Sequence, residues 1–176
     1  MMNKMVGGKL ETVYFADDAV AVARNLLGKV LVRVYDDGVV TRYRITATEA
    51  YMGEEDKACH ASKGRTGRTE VMYWRGGYVY VYLIYGMYWM FNIVTGSVEY
   101  PQAVIICGLD SVIGSGRVGR LLNVDKSFYG EDLLTSDRIW IEDSDEQPDV
   151  VESPRVGVDY AGDEWKNKNW RFRVQP

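Results

Sequence analysis

The residue best placed for acid–base chemistry is Glu49, which closes the apolar, β-branched run "ITATEAY" (residues 45–51). A carboxylate at the end of a buried strand is expected to be at least half buried itself. Burying a charge is costly unless the group is hydrogen-bonded or put to use. On spacing alone it reads first as a satisfied structural carboxylate, the other reading being a group put to use. Glu54, Glu55 and Asp56 follow in the polar stretch "MGEEDKACHA" (52–61), where solvated surface is expected. Cys59 and His60 are sequence neighbours whose side chains tend to diverge, which speaks against a nucleophile–base pair. A Ser–His triad has only His60 to draw on, and no G-x-S-x-G accompanies it. Cys59 and Cys107 form no C-x-x-C and share a single histidine, so no structural zinc or iron–sulfur site is expected. "GSGRVG" (114–119) has the spacing of a dinucleotide loop. That motif needs a parallel βαβ unit and an acid at the end of the next strand, and the following residues show no clear strand.

The aromatic stretch "YVYVYLIYGMYWMFN" (78–92) holds five tyrosines, one tryptophan and no charge. A buried strand would use Val, Ile and Leu and carry fewer hydroxyls. Residues 76–95 approach the length of a membrane span, but Gly86 and the regularly placed tyrosines argue against one.

The elements that hold these residues follow from pattern. Asp17-Asp18 ahead of "AVAVARNLLG" reads as an N-cap, a helix and a glycine C-cap at Gly28. "KVLVRVY", "DDG" and "VVTRYRITATEAY" read as a hairpin. Residues 52–77 are polar and glycine-bearing, mostly loop. The Tyr/Val alternation of 78–94 breaks at Tyr85-Gly86, which predicts two strands joined by a turn at Tyr85–Met87. "QAVIICGL" and "DRIWIED" predict strands, "SGRVGRLLNVD" a short helix from Ser115, and the tail "PRVGVDYAGDEWKNKNWRFRV" strand, loop, strand. Strands outnumber helices and connect as hairpins. The expected class is α+β: one domain over residues 1–176, with a mainly antiparallel curved sheet, flanking helices and a protruding aromatic β-hairpin.

The net charge of −4 speaks against a nucleic-acid partner, but its distribution does not. Residues 131–152 carry −8, which leaves +4 on the rest of the chain. Lys63, Arg65, Arg68 and Arg75 cluster, as do Arg117, Arg120 and Lys126, and the two groups flank the aromatic stretch. Either group alone reads as solvated surface; together they fit a polyanion. No apolar run precedes Glu11, so no secretory signal is expected. A reduced, intracellular setting (cytoplasm and nucleoid, or nucleus) fits the cysteine usage.

"TEAYMGEEDKACHA" followed by "YVYLIYGMYWMFN", then "GSGRVGRLLNVDKSFYGEDL" and "SPRVGVDYAGDEWKNKNWRF", resembles the 3-methyladenine (alkyladenine) DNA glycosylases, in order and spacing, from Ala21 to Phe172. The resemblance implies a monofunctional glycosylase that flips damaged purines out of duplex DNA and hydrolyses their N-glycosidic bond in base excision repair. Alkylated purines are the implied substrates, deaminated ones a possible extension. By the same resemblance Tyr85 wedges into the base stack from the minor groove. Tyr51, His60 and Tyr82 sandwich the extruded base, Tyr80 lines the pocket, and Asn92 screens against the exocyclic amine of guanine. Glu49 then matches the catalytic carboxylate, with the backbone carbonyl of Val156 helping to hold the water. Lys63, Arg65, Arg68, Arg75, Arg117 and Arg120 are the candidate contacts to the DNA backbone. No metal, organic cofactor or membrane is implied, and a monomer is expected.

Two features depart from this pattern. Family members commonly carry an arginine after the strand matching "AVII", where it contacts the water; here the position is Cys107. The expectation is a slower site that leans on cationic substrates; the alternatives are a basic residue moved in from a neighbouring loop, with Arg75 and Arg155 as candidates, and a merely packed strand end. The acidic segment 131–152 is expected to lie away from the DNA. The rival reading is a non-catalytic nucleic-acid-binding module using the same aromatic surface, which would have no use for a buried carboxylate beside a base pocket.

Overall fold

The Asp17-Asp18 pair does start a helix. In the computed structural model, which describes residues 7–176, a single turn α1 (Thr12–Phe15) leads to helix α2 (Ala19–Asn25). The Asp18 carboxylate accepts from the Ala21 amide at 2.9 Å, satisfying one of the donors that a helix N-terminus leaves free.

The first hairpin pairs β1 (Val30–Val34) with the start of β2 (Val40–Met52), from Val30↔Arg44 to Val34↔Val40. β2 is long enough to serve two neighbourhoods. Its second half pairs with β5 (Gln102–Leu109), after β3 (Val79–Ile84) and β4 (Tyr88–Val94) have formed their own antiparallel pair. β6 (Val112–Ile113) folds back on β5 and leads into α3 (Ser115–Leu121). β7 (Ile139–Glu142) adds to β1. β8 (Val150–Ser153) and β9 (Arg171–Val174) pair across the one-turn helix α4 (Asp163–Lys166), and β9 lies along Ala47–Glu49 of β2. Among the described residues these nine strands make one sheet, with the main path β3-β4-β5-β2-β1-β7 and every pairing antiparallel. The fold is α+β, a single domain built on an open antiparallel sheet with few helices. No helix among the described residues is long and apolar enough to cross a membrane.

Strand alternation divides the sheet into two environments. Val79, Val81, Phe91, Ile93, Val104 and Ile106 face one way and pack with Val22 of α2 and Val118 of α3, and with Leu26 and Leu122 that cap these helices, in the main core. Their neighbours Tyr80, Tyr82 and Ala103 face the other way and pack with Tyr51, Met72 and Tyr73.

The tail departs from the expected strand–loop–strand. Residues 155–158 are not a strand: Gly157 turns the chain at φ 74°, and Arg155 leaves the surface for a buried ion pair with Asp56. The first strand of the tail lies upstream, as β8. Asp56 itself is fully buried, against the expectation of solvated surface, and it also accepts from the amides of Met52 and Ala58 at 3.0 Å each. Residues 52–77 contain two 3-10 turns, His60–Lys63 and Glu70–Tyr73, within the expected loop.

"GSGRVG" opens α3 in an antiparallel setting, so the parallel βαβ context is missing. Its last glycine serves packing: a Cβ on Gly119 would collide with the Trp89 carbonyl, and its absence lets α3 lie directly on β4.

The acidic segment is largely neutralised within the molecule. Glu131 pairs with Arg138, Asp132 with Arg75, Glu142 with Arg42, Asp143 with Lys29, Glu146 with Arg44 and Glu152 with Arg24. Its acids reach Arg24 of α2, Lys29 just ahead of β1, and Arg42 and Arg44 of β2.

Candidate active site

Residues of alternate parity on β2, β3, β4 and β5 line a cavity of about 310 Å³ on the aromatic side of the sheet. Glu49, Tyr51, His60, Tyr80, Tyr82 and Asn92 all contribute to its wall. The volume lies at the low end of small-molecule sites, which span roughly 300–1,000 Å³.

Glu49 is only 4 % exposed. Its burial is compensated by three donors. The Tyr51 hydroxyl donates to Oε1 at 3.0 Å; the Val156 amide and Arg171 Nη1 donate to Oε2 at 2.9 and 3.0 Å. Three chain segments converge here for local reasons. Glu49 and Tyr51 are two apart on β2 and so share a face. Arg171 is the direct cross-strand partner of Glu49 on β9. Val156 is delivered by its neighbour Arg155, whose guanidinium donates to Asp56 at 2.6 and 3.0 Å and to the Ala50 carbonyl at 3.0 Å. Arg155 also lies against the rings of Tyr51 and Trp170, 4.9 and 5.0 Å from their centroids, which fixes the Tyr51 ring from behind.

The aromatic wall is uncharged at neutral pH. Burial, with Arg68 and Lys63 nearby, pushes the His60 imidazole down to about 4. His60 Nδ1 and the Tyr80 hydroxyl share a hydrogen bond of 2.8 Å, and the His60 and Tyr82 rings meet at 4.3 Å between centroids, inclined by 63°. Burial pushes the Tyr82 hydroxyl up to about 12 and holds Tyr51 well above the usual phenol range, where the Glu49 charge adds to the effect. Asn92 is 3 % exposed, and its Nδ2 finds no partner among the described residues. An unpaired buried donor costs about 1–3 kcal/mol. Cys59 is buried and its thiol is pushed up to about 12 by that burial, while His60 is engaged with Tyr80; the two do not form a nucleophile–base pair.

The mouth of the cavity is apolar and open. Tyr85 is 88 % exposed at the β3–β4 turn. It holds φ at 54° and Gly86 at 67°, while the Met87 amide donates to the Ile84 carbonyl at 3.1 Å. A non-glycine residue in the left-handed region costs roughly 1–2 kcal/mol. Val156 and Tyr160 are exposed on the facing segment, with the Tyr160 hydroxyl donating to the Ala58 carbonyl at 3.0 Å.

The six basic residues singled out in the sequence divide into two groups. Lys63, Arg68, Arg117 and Arg120 are exposed and have no acidic partner among the described residues. Arg65 pairs with both Glu70 and Glu99, and Arg75 with Asp132.

Sequence reasoning missed Arg171 and the Asp56–Arg155 clamp. Both depend on partners about a hundred or more residues away. Neither Arg75 nor Arg155 approaches Cys107; Arg171 does, with Nη1 at 3.4 Å from Sγ.

The profile of the Methylpurine-DNA glycosylase family matches residues 13–115 and 109–176 of this chain. Curated relatives carry the name "Putative 3-methyladenine DNA glycosylase". The one from Psychrobacter cryohalolentis is 37% identical over 202 residues, covering 98% of this chain and 94% of its own. The one from Natranaerobius thermophilus is 41% identical over 191 residues, covering 95% and 96%. The one from Methanocella arvoryzae is 41% identical over 171 residues, covering 86% and 84%.

Proposed function

The chain belongs to the methylpurine-DNA glycosylase family, hydrolases of N-glycosidic bonds that act in DNA repair, and from that premise we propose that it flips alkylated purines out of duplex DNA into the Glu49 cavity and excises them there. The observation that carries this reading is a nine-tenths buried carboxylate in the wall of a purine-scale, aromatic-lined cavity. A binding module would have no reason to keep that charge there.

Glu49 takes a proton from a water as the water oxygen bonds to C1′ of the extruded nucleotide. The C1′–N bond breaks with its electron pair leaving on the base, and the carboxylate stabilises the positive charge that builds on the sugar. Tyr51, His60 and Tyr82 hold the base by stacking, an interaction of about 1–3 kcal/mol per base that needs no sequence code. A cationic alkylpurine gains further from tyrosine faces and from an imidazole that is itself neutral. It also departs as a neutral base without a general acid. A neutral, deaminated purine needs a proton. His60 at about 4 and tyrosines held above their usual range are poor donors near pH 7, so hypoxanthine is the slower substrate. The Asn92 amide nitrogen meets an acceptor on the purine edge and repels an exocyclic amine, which selects against undamaged guanine.

Tyr85, exposed and left-handed at the turn, enters the stack in place of the extruded nucleotide. Lys63, Arg68, Arg117 and Arg120 take the phosphates; Arg65 and Arg75 do so only by leaving Glu70, Glu99 and Asp132. The cavity wall comes from one chain, so a monomer suffices, and residues 1–176 act as one glycosylase domain. Incubation with duplexes that each hold one lesion, followed by alkali cleavage at abasic sites, tests the proposal. Strand breaks with 3-methyladenine are expected, and fewer with hypoxanthine. Tight binding with no release from 3-methyladenine, 7-methylguanine, ethenoadenine or hypoxanthine would establish the binding module instead.

A further inference from the structure

We infer that Arg171 is a positioning residue that decides which oxygen of Glu49 does the chemistry, and that the small side chain of Cys107 is what gives its guanidinium room. The inference rests on the glycosylase reading and concerns how that site is set.

An ionised carboxylate has about four lone-pair sites, two per oxygen. Oε2 of Glu49 receives N–H bonds from Val156 at 2.9 Å and from Arg171 at 3.0 Å. Both its sites are taken by groups that do not release a proton to it. Oε1 receives only the Tyr51 hydroxyl at 3.0 Å and keeps one site open. Oε1 is therefore the atom that accepts the proton of the attacking water. Oε2 is the anchor, and Arg171 supplies the cation that keeps the pair ionised. The Arg171 side chain is 14% exposed and that of Glu49 5%, so solvent screens the contact weakly.

Cys107 makes the contact possible. In the β2–β5 ladder Thr48 faces Ile106 and Ala47 faces Gly108, so Cys107 is the extra residue of a bulge. Its thiol lies 3.4 Å from Arg171 Nη1. Burial, with the Glu49 charge nearby, pushes that thiol up to about 12, so it is neutral near pH 7 and leaves Glu49 and Arg171 as a matched pair. A long side chain at 107 would enter the space the guanidinium fills. Thus the cation is supplied from β9, and Cys107→Arg, which places a second guanidinium there, brings no gain on neutral lesions.

The ionisable groups around Glu49 are Tyr51 on β2, Tyr82 on β3, Cys107 on β5, Tyr160 beside Val156, and Arg171 on β9. All of the tyrosines and the thiol are held above their usual ranges, so near pH 7 Arg171 is the only charged one.

The test is single-turnover release of 3-methyladenine from methylated duplex DNA, followed from about pH 5 to 9. It compares wild type, Glu49→Gln, Arg171→Met and Arg171→Lys. Arg171→Met is expected to lower the rate at neutral pH roughly 10- to 100-fold and to move the acid limb of the rate profile to higher pH, because a cation beside the carboxylate is gone. Arg171→Lys keeps a charge but loses the fork geometry; it should hold the limb near the wild-type position and recover part of the rate. A limb that stays in place in Arg171→Met, whatever the rate, overturns the inference and reduces Arg171 to packing. If that variant fails to fold, Arg171→Lys decides: a reduced rate supports the inference, and a wild-type rate overturns it. In either case Glu49→Gln must be inactive, because release by Glu49→Gln at the wild-type rate, or none by the wild type, would remove the glycosylase reading along with this one.

Discussion

The two faces of the sheet are built from alternate residues of the same strands, yet they obey different rules. On the core face Val79, Val81, Phe91, Ile93, Val104 and Ile106 are no more than 3% exposed and interlock with α2 and α3. Its buried hydroxyl, Thr48, donates to the Ala23 carbonyl at 2.7 Å, so the polar atom is satisfied. On the other face, one residue along, lie a buried carboxylate, an amide nitrogen without a partner among the described residues and three tyrosines, Tyr51, Tyr80 and Tyr82, around a cavity. Just beyond it Tyr85 is held in a strained turn. The first face shows what stabilises the fold. The second carries its liabilities, and those cluster at the site proposed for the chemistry.

Adjacent residues give the sharpest test of this contrast. Phe91→Ala should cost about 3–5 kcal/mol of stability, because the aromatic volume is fully packed. Asn92→Ala, one position on, should not lower the denaturation midpoint, since the lost contacts are offset by removing a buried donor that has no protein partner. Equal losses in urea titrations of the two variants would erase the distinction between the faces.

Next in size is Glu49→Gln. It keeps the shape and removes the base, so single-turnover excision should fall by roughly 100-fold or more while lesion-containing DNA still binds. Part of the stability goes with it, because Arg171 is left without its buried counter-charge. Excision at the wild-type rate would take Glu49 out of the mechanism.

Tyr85→Ala should lower the population of the extruded base by an amount equivalent to about 1–3 kcal/mol. A 2-aminopurine or ethenoadenine fluorescence signal reads that population directly. The fold should be untouched, because the Tyr85 side chain is almost wholly in solvent. Undiminished extrusion would assign the wedge to another residue.

The smallest effect is one of pH. His60 is depressed from 6.5 to about 4 by burial and by Arg68 and Lys63, so below pH 6.5 the unfolded chain binds a proton that the folded chain resists. Stability contributed by neutral His60 is therefore complete above about pH 6.5 and is lost as pH falls toward 4. Replacing His60 with Phe should flatten the decline of the denaturation midpoint between pH 7 and pH 5. A core-face substitution such as Ile93→Val should lower the midpoint without changing that slope. Parallel slopes for wild type and His60→Phe would show that the imidazole is not held neutral.

Much of this was legible along the chain because the relevant physics is local. The N-cap at Asp18, the turn at Tyr85-Gly86 and the strand period that sets Tyr80 and Tyr82 opposite Val79 and Val81 depend on residues within a few positions of one another. The same holds for Glu49, whose burial follows from the apolar run before it. The tail and the loop after Met52 were misread for the converse reason. Asp56 looked like solvated surface because its cation, Arg155, lies 99 residues away, and residues 155–158 looked like a strand because the pull of Asp56 is not written next to them.

The order of β-branched, aromatic and turn-forming residues therefore determined by itself most of the elements, the two faces and the burial of Glu49. Only the tertiary structure decided what that carboxylate touches. The register that sets Arg171 across from Glu49, the bulge at Cys107 and the clamp that delivers the Val156 amide are pairings between distant segments. A buried charge is stabilised by whichever donor lies within about 3 Å, however far away that donor lies along the chain.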